Sequence, residues 1–287
     1  MGRRAEHQER LKKPSKKKDL ELEVSARAHY DDPAFYTDTY STRIEDIAYY
    51  VDLALAHGKR LGRAPRVLEY GAGNGRISVP LARHGISVTC VDWSKPMLTD
   101  LKDRLRREPK EVRSRVKVVH GDMREVRLDQ TFDLVFCPFN TALHLYVRED
   151  VEAFFAGVKL HLAPDGTFVS DLSVPLAEDL ARDPSVAHRV PKFEYPGVGM
   201  VKYREYFDYD RARQVLFVAM EFSPVNAAHE EFSTPLSHRQ FYPQEWEALL
   251  HYNGFTVTGL FGDFAAGPFD RQSDVMIWHA QVSRKKR

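Results

Sequence analysis

A chain of 287 residues with 43% hydrophobic content is long enough to bury a sizeable core, as one large domain or one domain with a modest cap. Lys plus Arg (42) nearly balance Asp plus Glu (41), so no overall field draws the molecule to nucleic acid or to an anionic membrane. No apolar run approaches the roughly 18 residues of a membrane span, and Cys90 and Cys137 sit in apolar runs as small core residues of a reducing compartment, offering no metal site.

Residues 1–18 are strongly basic, poor in apolar side chains and interrupted by Pro14, which predicts a disordered tail over 1–24 that cannot offset the cost of ordering. The basic cluster at 284–287 reads the same way. Within an N-terminal helical arm, 25–65, Ile44, Ile47, Ala48, Val51 and Leu55 form a helical stripe from Arg43 that Gly58 is expected to close. Strand 66–70 follows, then the loop Gly71-Ala72-Gly73-Asn74-Gly75, and a helix stopped at Gly85. Strand 86–92 and a helix capped by Ser94 make a second β-then-α unit. Strands at 116–119, 132–136 and 167–172, with a helix over 151–162, continue the alternation to residue 175. Strands alternating with helices imply a parallel sheet covered on both faces.

After Pro175 the texture changes. Extended segments at 197–200, 201–209 and 214–222, with a hairpin turn over 208–213, predict an antiparallel β insertion or cap spanning 176–240. Residues 241–287 return to the core with a helix over 243–252, the stop Asn253-Gly254, and strands at 255–261 and 275–282.

A glycine-rich turn between a strand and a helix lets backbone approach a ligand closely. The dinucleotide fingerprint needs G-x-G-x-x-G to hold a pyrophosphate, whereas this loop reads Gly71-x-Gly73-x-Gly75-Arg76, preceded by the acidic Glu69. A nucleoside ligand without phosphate, S-adenosylmethionine, suits that spacing better. Asp92 ends the next strand, where the acidic residue that reads ribose hydroxyls is expected.

The run from Leu68 to Arg76 resembles the first motif of class I S-adenosylmethionine-dependent methyltransferases, and the remaining motifs follow in order over residues 40–285. The resemblance implies a Rossmann-like α/β fold, with a seven-stranded sheet whose last strand is reversed. It implies that Glu69, Gly71, Ala72 and Gly73 line the cofactor, that Asp92 takes the ribose hydroxyls, and that Trp93 and Met97 pack on the adenine and methionine sides. Gly121-Asp122-Met123 resembles the element that meets the adenine amino group, and Cys137-Pro138-Phe139-Asn140 the one facing the sulfonium and the acceptor. Leu160 to Gly166 resembles the family's L-x-P-G-G turn, with Asp165 in place of one glycine.

Tyr30, Phe35, Tyr36, Tyr40 and Arg43 precede the first helix of the fold, where Tyr36, Tyr40 and Arg43 are expected over the cofactor; phenols can shield a sulfonium and attract it through their ring faces. His144, just past the fourth motif, is the candidate catalytic residue, since an imidazole can take a proton from an attacking hydroxyl or amine. Asn140, His144, His238 and Arg239 are expected to line the acceptor pocket. Enzymes of this fold that methylate nucleic-acid amino groups carry (D/N)-P-P-(Y/F) at the fourth motif to hold a flipped base, and this chain does not. The expectation is therefore a cytoplasmic methyltransferase acting on N or O of a small-molecule acceptor, with no membrane or nucleic-acid partner and compatible with a homodimer. The alternatives are an RNA or protein methyltransferase using the basic tail, and a non-catalytic S-adenosylmethionine-binding protein.

Overall fold

The computed structural model of the protein describes residues 20–226 and 230–284; the basic tail 1–18 and residues 285–287 lie outside the described residues. The arm comprises α1 (Leu20–Ala28), α2 (Pro33–Thr39) and α3 (Glu45–Leu61). The first half of the core then runs β1 (Arg66–Tyr70), α4 (Ser78–Arg83), β2 (Ser87–Asp92), α5 (Lys95–Arg106), α6 (Lys110–Arg113), β3 (Val116–His120), β4 (Phe132–Cys137), a short 3-10 turn (Thr141–His144), α7 (Arg148–His161) and β5 (Leu162–Ser173). After α8 (Ala177–Leu180) come β6 (His188–Tyr195), β7 (Gly199–Asp210), β8 (Val215–Pro224) and β9 (Phe232–Arg239). Then α9 (Pro243–Tyr252), β10 (Phe255–Phe261) and β11 (Val275–Val282) close the chain.

Seven strands form one sheet in the order β10-β11-β5-β4-β1-β2-β3, parallel except for β11, which runs against both of its neighbours. This is the Rossmann-like sheet with a reversed last strand. Its inner strands are apolar on both sides, so alternation along β1 feeds two cores. Leu68 and Tyr70 join Phe154, Phe155, Trp246 and Trp278 on one face, and Val67 joins Tyr50, Leu101, Leu134 and Phe136 on the other. Both faces being filled pins the register, because a one-residue slip would exchange the two sets. The loops that carry the motifs expected to face the ligand leave the carboxyl ends of β1, β2, β3 and β4, the edge where open α/β sheets bind ligands.

The cap is a second sheet, β6-β7-β8-β9, antiparallel throughout. Its aromatic face packs Phe193, Tyr195, Tyr203, Phe222 and Phe232 against Phe35 of α2, with Phe35 and Tyr195 stacked at 4.7 Å. Arm and cap are thereby fastened to each other above the main sheet.

Four local features depart from expectation. Residues 20–24 begin α1 and are not part of a tail: β9 supplies the surface on which this helix rests, and Ser25 Oγ donates to Ser237 Oγ at 2.9 Å. Helix α3 runs through Gly58 to Leu61 and is capped by Gly62 at φ +67. Gly58 is small for another reason, since a Cβ there would lie 3.2 Å from Arg63 O and from Pro65 Cδ where the chain doubles back. The cap has two strands that alternation did not reveal, β6 and β9, while 199–210 is one continuous strand and the turn falls after Asp210. Near the start of β5, Asp165 adopts φ +63, a conformation Asp tolerates better than most side chains, so the missing glycine is accommodated.

Candidate active site

The glycine loop is built by backbone that few other residues could follow: Gly71, Gly73 and Gly75 have φ of +66, +54 and +81. A side chain on Gly71 would overlap Thr141, and a Cβ on Gly73 would lie 3.1 Å from the Met97 methyl. The loop is held by Asp92, whose Oδ2 accepts the Gly73 N–H at 2.7 Å while Oδ1 accepts the Ser94 N–H at 2.7 Å. Burial raises the Asp92 pKa and these N–H groups pull it back. With the Trp93 N–H as a third backbone donor, the carboxylate keeps room for a further one.

Phe139 is where three elements converge. It and Asn140 take left-handed backbone (φ +53 and +62) directly after β4. Such conformations persist only where the surroundings impose them, and here Asp171 of β5 does so, with Oδ2 accepting the Phe139 N–H at 2.9 Å. The Phe139 ring meets Tyr40 at 4.8 Å and Tyr36 at 6.3 Å from the arm. It also carries the guanidiniums of Arg43 at 5.4 Å and Arg76 at 4.5 Å on its face. Arg76 is itself clamped by both oxygens of Asp46. The expected arm residues Tyr36, Tyr40 and Arg43 thus meet the loop and the fourth motif. Trp93, at the end of β2, is covered by Arg27 of α1 at 4.9 Å.

On the far side of Tyr36 lies an imidazole and phenol cluster. Tyr30 Oη is 2.8 Å from His144 Nε2, His144 Nδ1 is 3.0 Å from Tyr146 Oη, and the His144 and His238 rings are 5.1 Å apart. His29 is buried among Tyr30, Tyr36 and Tyr40, its Nε2 3.2 Å from Tyr40 Oη. Burial pushes His29 and His144 down to about 4, so both rings are neutral at pH 7. His29 Nδ1 and His238 Nε2 are buried without a hydrogen-bond partner. Buried polar atoms of this kind are ordinarily paired, by water or by a ligand.

Several expected residues sit elsewhere. Glu69 faces the core beneath the loop, where Ser78 Oγ donates to it, and burial holds its carboxyl up at about 8, so it is a neutral support for the loop. Cys137 is wholly buried with its side chain in the α7 core, leaving only its backbone toward the strand end. Asn140 spends its amide on Ser173, accepting from its N–H at 2.7 Å and donating to its hydroxyl at 2.9 Å. Arg239 is paired with Glu245 at 2.7 Å and stacked on Phe241, away from the histidines. Burial works against the charge on Asp122, yet Arg124 grips both its oxygens and holds its pKa below the ordinary value. Gly121 lies beside it, its N–H donating to Asp92 O at 2.9 Å, and Met123 packs partly buried against the α7 core. His144 itself has both ring nitrogens engaged, Nε2 by Tyr30 and Nδ1 by Tyr146.

Sequence reasoning did not single out His29, Thr141, Tyr50 or Asp171. Asp171 left a trace, a carboxylate in the middle of the apolar run of β5. His29 left none beyond its place before the aromatic run of the arm.

The donor set fits an adenosyl sulfonium: a loop with no room for side chains, a carboxylate with free lone pairs, neutral aromatic walls, and a polar cluster with two unpartnered nitrogens. A family model for the methyltransferase domain matches residues 67–166. The chain is 28% identical to the cypemycin N-terminal methyltransferase of a Streptomyces species, over 86% of this chain and 95% of that one. It is 30% identical to the glycine/sarcosine N-methyltransferase of Aphanothece halophytica, over 70% of each. It resembles the structure of the glycopeptide N-methyltransferase MtfA complexed with S-adenosyl-L-homocysteine, at 26% identity and a TM-score of 0.55, covering 82% of this chain and 87% of that one. Motifs, sheet order and relatives agree, and the chain belongs to the class I S-adenosylmethionine-dependent methyltransferases.

Proposed function

We propose that this methyltransferase acts on a nitrogen or oxygen atom of a small-molecule acceptor, bound between the arm, the 3-10 turn and β9. The observation that carries the reading is the meeting of two differently furnished compartments at Tyr36 and Phe139. One, made of the glycine loop and Asp92, suits a nucleoside; the other, made of His29, Tyr30, His144 and His238, is polar, neutral and incompletely hydrogen-bonded.

In this reading Gly71, Ala72 and Gly73 offer backbone to the cofactor, with Glu69 supporting them from below. Asp92 takes the ribose hydroxyls, Trp93, Met97, Gly121, Asp122 and Met123 surround the adenine, and Tyr36, Tyr40 and Arg43 close over the methionine end beside Phe139 and the Cys137 backbone. When bound, S-adenosylmethionine supplies an electrophilic methyl carbon. The protein's share is alignment and exclusion of water, which can provide most of the acceleration in a displacement of this type. Asn140 shapes the acceptor side through Ser173, and His238 lines it. No helix among the described residues is long and apolar enough to cross a membrane, and the two free cysteines suit a reducing cytoplasm.

A peptide amino terminus as acceptor is the second reading, favoured by the similarity to an enzyme named as an N-terminal methyltransferase. The test is incubation with methyl-labelled S-adenosylmethionine and a metabolite pool, followed by identification of the labelled compound. Label in a small molecule is expected. Label only in peptide, protein or RNA, lost when residues 1–18 are removed, would overturn the small-molecule reading.

A further inference from the structure

A groove of about 570 Å³ lies between the arm, the end of the glycine loop and helices α4 and α5, and five guanidiniums line it: Arg43, Arg76, Arg83, Arg104 and Arg107. Glu108 is the one acidic residue in that lining. In a chain whose charges nearly cancel, the concentration is local. The groove is distinct from the cofactor compartment. It touches the loop at Asn74, Gly75 and Arg76, and includes none of Gly71, Ala72, Gly73, Asp92, Met97 or Phe139. It shares Tyr36, Tyr40 and Arg43 with the proposed cofactor wall, so the arm stands between the two.

Carboxylates neutralise three of the five arginines. Asp46 clamps Arg76 with both oxygens, Glu108 accepts from Arg83 Nε at 3.1 Å and from its Nη2, and Asp100 accepts from Arg104 Nε at 2.9 Å. Arg104 spends Nη2 on Thr37 Oγ1 at 2.5 Å and keeps Nη1 open. Among the described residues no carboxylate pairs with Arg43 or Arg107; Arg43 lies over the Phe139 ring and Arg107 is exposed. Two positive charges are left over in one concavity. Cations suit the last turns of α4 and α5, which accounts for Arg83 and Arg104. It does not account for Arg43 and Arg76, from two other segments, converging on the same groove.

Guanidiniums arrayed around one cavity suit an anion with several oxygens, and an excess of two charges matches a phosphate dianion better than a single carboxylate. Ile47, Val79 and Pro80 add apolar surface on which the organic part of a phosphate ester can rest. We propose that this groove binds a phosphate group, free or as the monoester of a small molecule, and that its occupancy fastens the arm to the glycine loop. Thr37 is the link: its hydroxyl oxygen accepts from Asn74 Nδ2 of the loop at 2.9 Å and from Arg104 of α5. A phosphate held by Arg104 and Arg107 steadies the guanidinium that holds Thr37, and with it the arm residues proposed to close over the cofactor. Phosphate and cofactor then strengthen each other's binding by the same factor. The site is independent of which acceptor is methylated.

The experiment is calorimetry of the full chain with inorganic phosphate and with phenyl phosphate, at about pH 8 where a phosphate monoester is a dianion, and with ionic strength held by sodium chloride. Saturable binding of at least one of them is expected without cofactor, and the pair separates a free-phosphate site from one that uses the ester group. Arg107→Gln should weaken it about tenfold or more, as loss of a hydrogen bond to a charged group implies. The same variant, measured without phosphate, should bind S-adenosylhomocysteine as the parent does. Saturating phosphate should raise the parent's affinity for S-adenosylhomocysteine about fivefold or more. In Thr37→Val, which cuts the link to Asn74 and Arg104, phosphate should still bind but that gain should vanish. No saturable binding of either anion, undiminished binding in Arg107→Gln, or phosphate displacing S-adenosylhomocysteine by competition would each overturn the proposal; competition would assign these guanidiniums to the cofactor's own carboxylate.

Discussion

Tyr50 of α3 donates its hydroxyl to Asp171 Oδ1 of β5 at 2.5 Å, and the other oxygen of that carboxylate holds the Phe139 N–H. Through this pair a helix of the arm sets the backbone of the turn that follows β4. Burial raises Asp171 to about 6, so at pH 7 it is an ionised group in the core that depends on both donors. Tyr50→Phe removes one of them, and the expected cost is about 1–3 kcal/mol in chemical denaturation. Cofactor affinity should fall with it, because the left-handed turn at Phe139 and Asn140 loses its anchor. A variant matching the parent in both measurements would show that the turn is held by other contacts.

Asp92 is expected to serve the cofactor and the loop at once. Asp92→Ala removes the acceptor of the Gly73 and Ser94 N–H groups and the carboxylate proposed for the ribose. Calorimetric affinity for S-adenosylmethionine or S-adenosylhomocysteine should drop tenfold or more, given about 1.5–3 kcal/mol for hydrogen bonds to a charged group. Full-strength binding by this variant would sink the assignment.

Gly71 is constrained twice, by its φ of +66 and by Thr141 where a Cβ would project. Gly71→Ala should therefore reduce cofactor affinity severely. Combining it with Thr141→Ala should restore part of the loss, since the overlap is relieved and the backbone strain of roughly 1–2 kcal/mol is not. Equal binding by the single variant and the parent would argue that the loop has slack the geometry does not suggest.

Glu69 has a pH signature of its own. Its folded-state pKa, raised by burial to about 8, lies above the ordinary value of 4.5, so between those limits the folded chain keeps a proton that the unfolded chain releases. Stability then falls as pH rises, by about 1.4 kcal/mol per pH unit for one group, and levels off above 8. The buried histidines carry the opposite sign, losing stability as pH drops through 6.5 toward 4, and Asp171 titrates at about 6, so both still contribute just above 6.5. They are common to parent and variant, and the difference between the two isolates Glu69. Denaturation from pH 6.5 to 8 should show the parent losing stability relative to Glu69→Gln; parallel lines would mean that the carboxyl is already ionised.

Much of this protein is legible from sequence because its signals are local. The spacing of Gly71, Gly73 and Gly75 reports a backbone that must turn tightly, and apolar runs such as 132–136 report strands buried on both faces. Asp92 could be placed at the carboxyl edge of the sheet because it ends the strand after the loop. Each inference uses residues within about twenty positions of one another, and the relative order of four such motifs was enough for the fold and the cofactor.

What only the tertiary structure decided depends on contacts that are remote in sequence. Helix α1 exists because β9, more than 200 residues later, offers it a surface. Glu69 and Cys137 look like ligand contacts by position, but strand alternation turns their side chains into the core, where a carboxyl becomes neutral and a thiol becomes packing. His144 looks unencumbered from its place in the sequence, whereas Tyr30 and Tyr146, one from the arm and one from beyond the turn, lie against both its nitrogens. A residue's type states what chemistry it can do; its burial and its partners, assembled across the whole chain, determine whether it does it.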